Sequence, residues 1–400
     1  KEDDNYELTL YCQEEKIKDI QDYLREQSIQ WKPYDDIVND IQEHCLESPE
    51  NNRVWVDASN TNLAIVRVIP KNQLEDSQNA ITSMKASKNT AELEGMKRAH
   101  LVDGAAMAEF ISWLERTLQE EERTVSEVEI DTVLTSFRAK QAGFLESSFP
   151  TIAGVGSNGA IIHYRAQDDT PLLKELNLQQ PILLDSGGQY EYGTTDVTRT
   201  WHFGTDVDEE FIDSYTRVLK GNIALDTAIF PVDTPGFVLD VLARQYLWQV
   251  QKEYGHGTGH GVGAALNVHE GPQSISPRFQ NKSPLKEGMI VSNEPGYYED
   301  GVYGIRIENL LAIVKHKKDG ESDDDTDKEK KIFLKFEKLT MIPIQKNLIN
   351  LSLMTRDELD WLDAYHKEVL EKVGPLLEPN SPAMEWLEKS CQPIDRTMNV

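Results

Sequence analysis

Two aspartates lie close together in the stretch from Pro181 to Phe203. Asp185 ends an apolar run that is typical of a buried strand, and Gly187-Gly188 turns the chain directly after it. A second strand through Tyr190–Val197 would then carry Asp196 back beside the first. By itself, Asp185 would be read as a turn former that is satisfied by backbone N–H groups. Like charges ~4 Å apart repel by about 4 kcal/mol at an effective dielectric constant of 20. Because the stretch holds one arginine and no lysine, a metal ion is the simplest shared partner.

Three later segments supply further ligand types. His260 ends the glycine-rich sequence HGTGH, and Glu294 precedes a proline, which favours an extended backbone. Glu308 follows Arg306 by two residues, so the two side chains share one strand face while isoleucines fill the other. With the two aspartates, these residues make four carboxylates and one imidazole, and their formal charge would balance two divalent cations. Oxygen-rich ligation with one nitrogen favours Mn²⁺, Co²⁺, Fe²⁺ or Zn²⁺.

The motifs around these residues are recognisable as a set. LLDSGGQY, TTDVTRTWHFG, HGTGHGVGAALNVHEGP, EPGYY and GIRIEN resemble the pita-bread metallopeptidases, and more narrowly the soluble three-domain Xaa-Pro aminopeptidases. The resemblance is clearest from Asn72 to Pro393, where SFPTI and NGAIIHY also match. It implies an α+β architecture, with a pita-bread (creatinase/aminopeptidase) catalytic domain at 86–400. Residues 1–85 would be part of a smaller creatinase-N-terminal-like α/β domain, and the family's first domain would be absent from this chain.

The resemblance also implies a ligand set for two divalent metal ions, with Mn²⁺ favoured and Co²⁺, Zn²⁺ or Fe²⁺ as alternatives. Asp196 and Glu308 would bridge both ions. Asp185 would complete one site, and His260 with Glu294 would complete the other. A hydroxide held between the two ions would then attack the peptide bond.

The proton transfers and substrate contacts are assigned by the same resemblance. Glu294 would take and pass on the proton as a catalytic residue. His269 and His256 would bind the scissile carbonyl and position the substrate, and His163 would line the site on the proline side. The implied reaction releases the first residue from a peptide whose second residue is proline and whose amino terminus is free. Without the resemblance, the three histidines would equally be read as buried, hydrogen-bonded residues.

Two other functions remain open at this point. A catalytically inert pita-bread protein could act as a binding protein in a larger assembly, although such proteins generally lose metal ligands and all five are present here. A related peptidase such as a prolidase is disfavoured by the contexts NGAIIHY, NVHEGP and EPGYYEDG. One departure is Asn293, which stands where close relatives tend to carry an acid. We expect it to tune the metal site rather than abolish it.

Composition restricts the partners of this 400-residue chain. Its net charge of −28 disfavours nucleic acid and anionic membranes. The cysteines Cys12, Cys45 and Cys391 are too few and too far apart for a disulfide framework or a zinc motif, which favours a reducing compartment. Neither a signal peptide nor an apolar run of transmembrane length is visible. The sequence therefore predicts a soluble, cytoplasmic protein that binds peptides, and the resemblance implies a homodimer.

Local patterns predict the elements of residues 1–85. Strands are predicted at Tyr6–Cys12, Val54–Val56 and Leu63–Val68. Helices are predicted around Ile17–Leu24 and Ile37–Cys45.

Capping signals predict most helices of the remainder. The predicted starts are Asn89 with Glu92, Ser126 with Glu129, Thr234-Pro235, Thr355 with Glu358, and Ser381-Pro382. Two amphipathic helices are predicted at Phe211–Leu225 and Phe237–Tyr254, with Gly255 as the cap of the second. Strands are predicted at Phe149–Ile152 and Ala160–Tyr164 around a glycine-rich hairpin turn, and at Leu310–Val314 and Ile332–Phe336 around a solvated charge run, Lys315–Lys331.

Overall fold

The computed structural model describes residues 7–47, 52–58, 60–317 and 331–396, and the chain divides into two compact units, Lys1–Ser83 and Met84–Val400. Its α-helices are α1 (Gln21–Glu26), α2 (Ile37–Glu47), α3 (Leu63–Val68), α4 (Ala80–Ala86), α5 (Thr90–Gln119), α6 (Glu127–Arg138), α7 (Glu209–Asp226), α8 (Asp240–Trp248), α9 (Arg356–Val373) and α10 (Pro382–Ser390). Its strands are β1 (Leu8–Tyr11), β2 (Ile29–Lys32), β3 (Val54–Val56), β4 (Leu74–Asp76), β5 (Val125–Ser126), β6 (Phe144–Ser147), β7 (Ile152–Val155), β8 (Glu175–Leu176), β9 (Ile182–Ser186), β10 (Gly188–Tyr190), β11 (Gly193–Thr194), β12 (Val197–Trp201), β13 (Ile229–Pro231), β14 (Gly259–His260), β15 (Ser274–Ile275), β16 (Ile290–Asn293), β17 (Gly296–Glu299), β18 (Tyr303–Arg306), β19 (Asn309–His316) and β20 (Phe333–Lys338).

The first unit pairs β1 with β2 and β3 with β4, in both cases as parallel strands. The predicted strands β1 and β3 and the predicted helices α1 and α2 are confirmed. Leu63–Val68 was predicted to be a strand and is helix α3, so that prediction is wrong. A short apolar run does not distinguish strand from helix. Asn62 decides between them, because its side chain accepts a hydrogen bond from the Ala64 N–H and caps the helix.

Four of the five helix starts predicted in the second unit are confirmed. Side-chain caps are present at the starts of α5, α6, α9 and α10, at Asn89, Ser126, Thr355 and Ser381. The caps of α5 and α9 are full capping boxes with Glu92 and Glu358. From Ala105 to Leu118, α5 packs into a large apolar core that also takes side chains from β7, β9 and β12. This core holds the central strands in place.

The central three-stranded sheet has β9 in the middle, antiparallel to β7 and β12. Asp185 therefore lies on the middle strand, opposite Thr198 of β12. The single second strand predicted through Tyr190–Val197 is wrong, because this segment forms three short strands, β10, β11 and β12. The Thr195 hydroxyl accepts a hydrogen bond from the Gly188 N–H and bends the chain there. Asp196 consequently lies in the turn directly before β12.

The glycine-rich hairpin predicted around 154–159 is also wrong. Strand β7 enters a 3-10 helix at Gly156–Ala160, and residues 161–164 form no strand. The Asn158 side chain fixes this conformation by donating hydrogen bonds to Glu127 on α6 and to the Leu172 carbonyl. A Cβ atom on Gly304 would lie 1.8 Å from the Gly159 oxygen, so β18 approaches this turn too closely for any larger residue.

Helix α8 is shorter than predicted. Thr234 does not cap it, because the Thr234 hydroxyl donates to the Pro231 carbonyl, and the helix ends at Trp248 rather than Tyr254. Gly255 is therefore not its C-terminal cap. Instead, Arg244 of α8 donates hydrogen bonds to the carbonyls of Tyr254 and His256. This arginine ties the glycine-rich segment that follows to the helix.

A four-stranded sheet in the order β13-β20-β19-β16 completes the second unit. The predicted helix α7 and the predicted strands β19 and β20 are confirmed, and the two strands pair in antiparallel fashion. Most of the predicted charge run, residues 318–330, lies outside the described residues. Across the described part of the chain, every helix is too short or too polar to span a bilayer.

Candidate metal centre and substrate cavity

All eight site residues predicted from the sequence line one cavity of about 450 Å³: Asp185, Asp196, His260, Glu294, Glu308, His163, His256 and His269. The first five are called the carboxylate centre below, and the three remaining histidines are called the histidine rim. Apolar side chains complete the wall, namely those of Phe149, Pro150, Ile152, Ile162 and Val268. The sequence prediction therefore selects residues that the fold brings together from widely separated segments.

The tightest part of the carboxylate centre is formed by Asp196, His260 and Glu308. One possible ligand atom from each lies within 4.8 Å of the others, and no other group of this kind occurs among the described residues. His260 Nε2 is 3.5 Å from Asp196 Oδ2 and 3.4 Å from Glu294 Oε1. Four of the five predicted ligands are thus adjacent: His260 lies on β14, Glu294 directly follows β16, and Asp196 and Glu308 directly precede β12 and β19.

The hydrogen bonds of His260 fix which nitrogen faces the cavity. Its Nδ1 lies 3.0 Å from the Gly261 carbonyl oxygen, which can only accept, so Nδ1 carries a proton. Nε2 then faces Asp196 and Glu294. Metal-binding histidines commonly donate their second nitrogen to a carbonyl in this way, which sets the ring orientation.

Asp185 stands on the other side of the centre and is held by Arg306. The Arg306 guanidinium donates to Asp185 Oδ2, to the Thr198 hydroxyl at 3.0 Å and to the Tyr298 hydroxyl at 2.8 Å. Asp185 Oδ1 is buried and has no hydrogen-bond partner among the described residues. A buried carboxylate oxygen without a partner is costly unless another group binds it.

The residues therefore fit a pair of divalent cations. Four carboxylates and one imidazole converge on one cavity, where Arg306 forms an ion pair with Asp185 and Arg165 also lines the wall. Hard oxygen ligands with one imidazole match the first-row divalent metals. The orphaned Asp185 Oδ1 and the cavity-facing His260 Nε2 are the free ligand atoms that such ions need.

Burial and charge crowding shift the pKa values of the centre. Burial raises the pKa of Asp185 to about 6 and that of Glu294 to about 7, although Arg306 opposes both shifts. Burial and the neighbouring carboxylates raise the pKa of Glu308 well above its ordinary value. Burial opposes the charged form of His260, but Asp196 and Glu294 outweigh it and raise the His260 pKa to about 9. Without cations, this cluster retains protons near neutral pH.

The three histidines of the rim differ in how firmly they are held. His256 Nδ1 lies 2.8 Å from the Gly257 carbonyl, and its Nε2 lies 2.8 Å from the Tyr298 hydroxyl. The His269 ring packs edge-on against His260, with 4.1 Å between ring centroids. Burial lowers the pKa of His256 to about 4 and also lowers that of His269. Both imidazoles are therefore neutral at pH 7. His163 is exposed at the cavity edge.

Sequence reasoning missed the residues that hold the ligands. Arg306 and Glu308 were expected on one strand face, but the contact from Arg306 to Asp185 was not foreseen. The Thr198 hydroxyl donates to Glu308 Oε2 at 2.8 Å, and the Ser292 hydroxyl donates to Glu294 Oε1 at 3.1 Å. The available signal was spacing, because Thr198 and Ser292 each lie two residues from a predicted ligand in a strand pattern.

Family models account for most of the chain. Residues 94–315 match metallopeptidase family M24, and residues 332–394 match the C-terminal region of that peptidase family. Residues 3–92 match the creatinase/prolidase N-terminal domain.

Individual relatives agree with these matches. Aminopeptidase P2 of Arabidopsis thaliana is 44% identical over 415 residues, which span 96% of this chain and 56% of that protein. A probable Xaa-Pro aminopeptidase P of Laccaria bicolor is 45% identical over 366 residues, which span 90% of this chain and 55% of that protein. The chain thus spans little more than half the length of these relatives.

A comparison with solved structures gives the same family relationship. The crystal structure of an X-prolyl aminopeptidase from Caenorhabditis elegans, described as a cytosolic enzyme with a di-nuclear active site, superposes with a TM-score of 0.89 at 34% identity. The alignment covers 98% of this chain and 62% of that one. The α+β pita-bread fold predicted from the sequence is confirmed. On these matches, the chain belongs to metallopeptidase family M24.

Proposed function

We propose that this chain is the peptidase portion of a metal-dependent aminopeptidase that releases the first residue from peptides with proline in second position. The observation that carries the proposal is the convergence of all five predicted ligands and all three motif histidines on one cavity. A protein that serves only as a scaffold would have no need to keep these residues together. The Xaa-Pro specificity is supported by the names of the relatives and of the Caenorhabditis elegans enzyme.

We assign the carboxylate centre as the binding site of two divalent cations, with Mn²⁺ as the favoured metal. When bound, such ions supply an activated water at neutral pH and stabilise negative charge on the carbonyl oxygen. Asp196 and Glu308 would contact both ions, as the resemblance implies, and their ligand atoms lie within 4.8 Å of each other and of His260. Asp185 would complete one site, and His260 with Glu294 would complete the other.

Glu294 is the residue that we assign to proton transfer. Its carboxylate lies at the cavity, and only one of its oxygens accepts a hydrogen bond from Ser292. A carboxylate in this position can take a proton from the attacking water and deliver it to the leaving nitrogen. The free amine of the substrate would bind at the same metal centre, which would restrict cleavage to the amino-terminal residue.

His269 would donate its N–H to the scissile carbonyl oxygen. A neutral imidazole can serve as such a donor, and burial keeps His269 neutral at pH 7. His256 would orient the substrate together with Tyr298, because both of its ring nitrogens are already within hydrogen-bond distance of Gly257 and Tyr298. His163 would contact the proline side from the cavity edge.

Three further properties are proposed on the resemblance. Residues 1–85 would be part of the N-terminal domain and 86–400 the catalytic domain. The protein would form a homodimer, and it would be located in the cytoplasm like the Caenorhabditis elegans enzyme. Light scattering coupled to size-exclusion chromatography would test the dimer directly.

A peptide assay tests the activity. The metal-loaded protein should release the first residue from an Xaa-Pro peptide and leave the matched Xaa-Ala peptide nearly untouched. Acetylation of the amino terminus should stop cleavage. If a protein shown to carry two metals hydrolyses no Xaa-Pro peptide, the enzyme assignment is wrong and the inert scaffold is favoured. Cleavage of Xaa-Pro dipeptides alone would favour a prolidase.

A further inference from the structure

Asn222 of helix α7 is fully buried and contacts the backbone at two separate places, the end of β16 and the segment between β18 and β19. Its side-chain nitrogen donates to the Asn293 carbonyl at 2.9 Å and to the Ile307 carbonyl at 3.0 Å. The two accepting residues are 14 positions apart in the sequence, and each directly precedes a glutamate of the carboxylate centre. One amide group therefore joins the segments that carry Glu294 and Glu308.

The positions of these two carbonyl groups determine the positions of the glutamate Cα atoms. A peptide unit is planar, so the oxygen of residue 293 is fixed relative to the Cα atom of Glu294, and the oxygen of residue 307 relative to the Cα atom of Glu308. The opposite edges of the same planes are held by backbone acceptors. The Glu294 N–H donates to the Thr258 carbonyl at 2.8 Å, and the Glu308 N–H donates to the Thr198 carbonyl at 3.0 Å. On the carbonyl edges, Asn222 binds both peptide planes through its side-chain nitrogen.

The chemistry of this contact requires a primary amide. Two acceptors need two N–H donors on one atom, which asparagine provides and aspartate does not. A carboxylate at position 222 would place an oxygen against two carbonyl oxygens. A reverse hydrogen bond adds rigidity, because the Asn293 side chain donates to the Asn222 carbonyl at 2.8 Å. The side chain of Asn293 thus contacts α7 rather than the metal ligands.

We propose that Asn222 is a positioning residue that sets the separation of Glu294 and Glu308 and thereby the affinity of the metal centre. This inference rests on the proposed metal centre and concerns a residue outside the ligand set. Partners that orient metal ligands commonly change metal affinity or activity by ~10–100-fold when they are substituted. Asn222 acts on two ligands at once, since its two donors reach both peptide planes.

The test is a metal titration of chelated protein by calorimetry with Mn²⁺. Asn222→Asp keeps the side-chain shape and should weaken Mn²⁺ binding by ~10–100-fold relative to the parent chain. Asn293→Ala is the matched control, because it is equally buried and adjacent to a ligand but removes only the reverse bond to α7. Its loss of Mn²⁺ affinity should stay below the ~10-fold expected for a group that orients ligands.

A second variant separates positioning from simple destabilisation. Asn222→Ala removes both donors without adding a repelling oxygen, so it should fold even if the aspartate variant does not, and it should show the same loss of affinity. Melting temperatures of the chelated variants report the structural cost. If the Asn222 variants bind two Mn²⁺ ions as tightly as the parent chain while melting lower, Asn222 is purely structural and the inference is wrong. If the parent chain binds no divalent metal, the proposed centre itself is wrong.

Discussion

The carboxylate centre and the histidine rim share one cavity but are built differently. The centre lies on or directly beside strands, and its side chains receive hydrogen bonds from Thr198, Ser292 and Arg306. The rim lies on turns, and His163 is exposed at the cavity edge. One side of the cavity is therefore fixed from several directions, and the other depends on loop conformation.

This difference separates two functions that a peptidase needs. The buried centre carries the negative charge that can hold cations, and the rim carries imidazoles that can contact substrate, of which His256 and His269 are neutral at pH 7. Substitutions in the centre should therefore change metal content, whereas substitutions in the rim should change turnover or KM with metal content intact.

The largest effect is expected for Glu308→Ala. Glu308 is buried and lies within 4.8 Å of the ligand atoms of Asp196 and His260, so its loss should release both metals. Turnover should fall by more than the ~10²–10³-fold that loss of a single oxyanion donor costs. Elemental analysis after gel filtration measures the metal content. Asp185→Ala is the comparison and should release one metal preferentially, whereas two metals retained by Glu308→Ala would contradict the bridging role.

Chelation should reverse the pH dependence of the stability that the carboxylate centre contributes. In the metal-free protein, the folded-state pKa values of Asp185, about 6, and of Glu294, about 7, lie above their ordinary values of 3.8 and 4.5. The folded state then binds these protons more tightly than the unfolded state, so the stability that these two groups contribute falls as pH rises from about 4 to about 7. The buried histidines, such as His256, contribute in the opposite direction in both forms, so the comparison of chelated with metal-loaded protein isolates the carboxylate centre.

With metal bound, the stability contributed by the carboxylate centre should change with pH in the opposite direction. Cations favour the ionised carboxylates and compete with protons, so the metal-loaded protein should lose stability as pH falls. Melting temperatures of chelated and Mn²⁺-loaded protein at about pH 5 and about pH 8 measure both slopes. Parallel slopes in the two forms would mean that the charges of the carboxylate centre do not control stability.

His269→Ala should lower turnover by ~10²–10³-fold, in line with the removal of one donor to a developing oxyanion. Metal content should stay at the parent level, because the His269 ring touches His260 but no hydrogen bond joins them among the described residues. Steady-state kinetics with metal analysis on the same sample make the measurement. A loss of metal in proportion to activity would make His269 a ligand and remove the distinction between centre and rim.

The same distinction explains what the sequence could predict. Each residue of the centre is marked by a local pattern, such as a carboxylate that ends an apolar run or precedes a proline. Strand alternation then places Ile305 and Ile307 in the core and leaves Arg306 and Glu308 facing the cavity. The contact between Arg306 and Asp185 spans 121 positions, and alternation cannot reveal a pairing at that distance.

The wrong predictions fall on segments whose conformation is set by single side chains. Leu63–Val68 is a helix because Asn62 caps it. Residues 160–164 do not form the predicted strand because Asn158 donates a hydrogen bond to Glu127 and fixes the preceding turn. Helix α8 ended early because the segment after it is bound to Arg244. Apolar periodicity describes cores well, but it carries no information on such hydrogen bonds. The histidine rim lies on segments whose conformation depends on such hydrogen bonds. The sequence therefore predicted the residues of the rim but not their backbone conformation.

Glu127→Gln should have the smallest effect and tests how the rim is supported. Glu127 is fully buried on α6, and its carboxylate accepts hydrogen bonds from the Val155 N–H, the Tyr164 hydroxyl and the Lys174 N–H, at 2.7–2.9 Å. These bonds, with the two from the Asn158 side chain, hold the turn that carries His163. Glutamine would present an NH₂ group to at least one of these donors and leave it unsatisfied. Loss of one such bond costs ~1–3 kcal/mol of stability.

If the rim contacts only substrate, this variant should raise KM several-fold while kcat and metal affinity stay near the parent values. Glu129→Gln, on the same helix but at the surface beside Arg123, is the control and should change neither KM nor metal affinity. An unchanged KM with a lower melting temperature would mean that the position of His163 does not depend on this turn. A fall in metal affinity would mean that the two sides of the cavity are coupled through β7, which pairs with the strand of Asp185. The variant therefore tests whether the histidine rim can move without a change in the carboxylate centre.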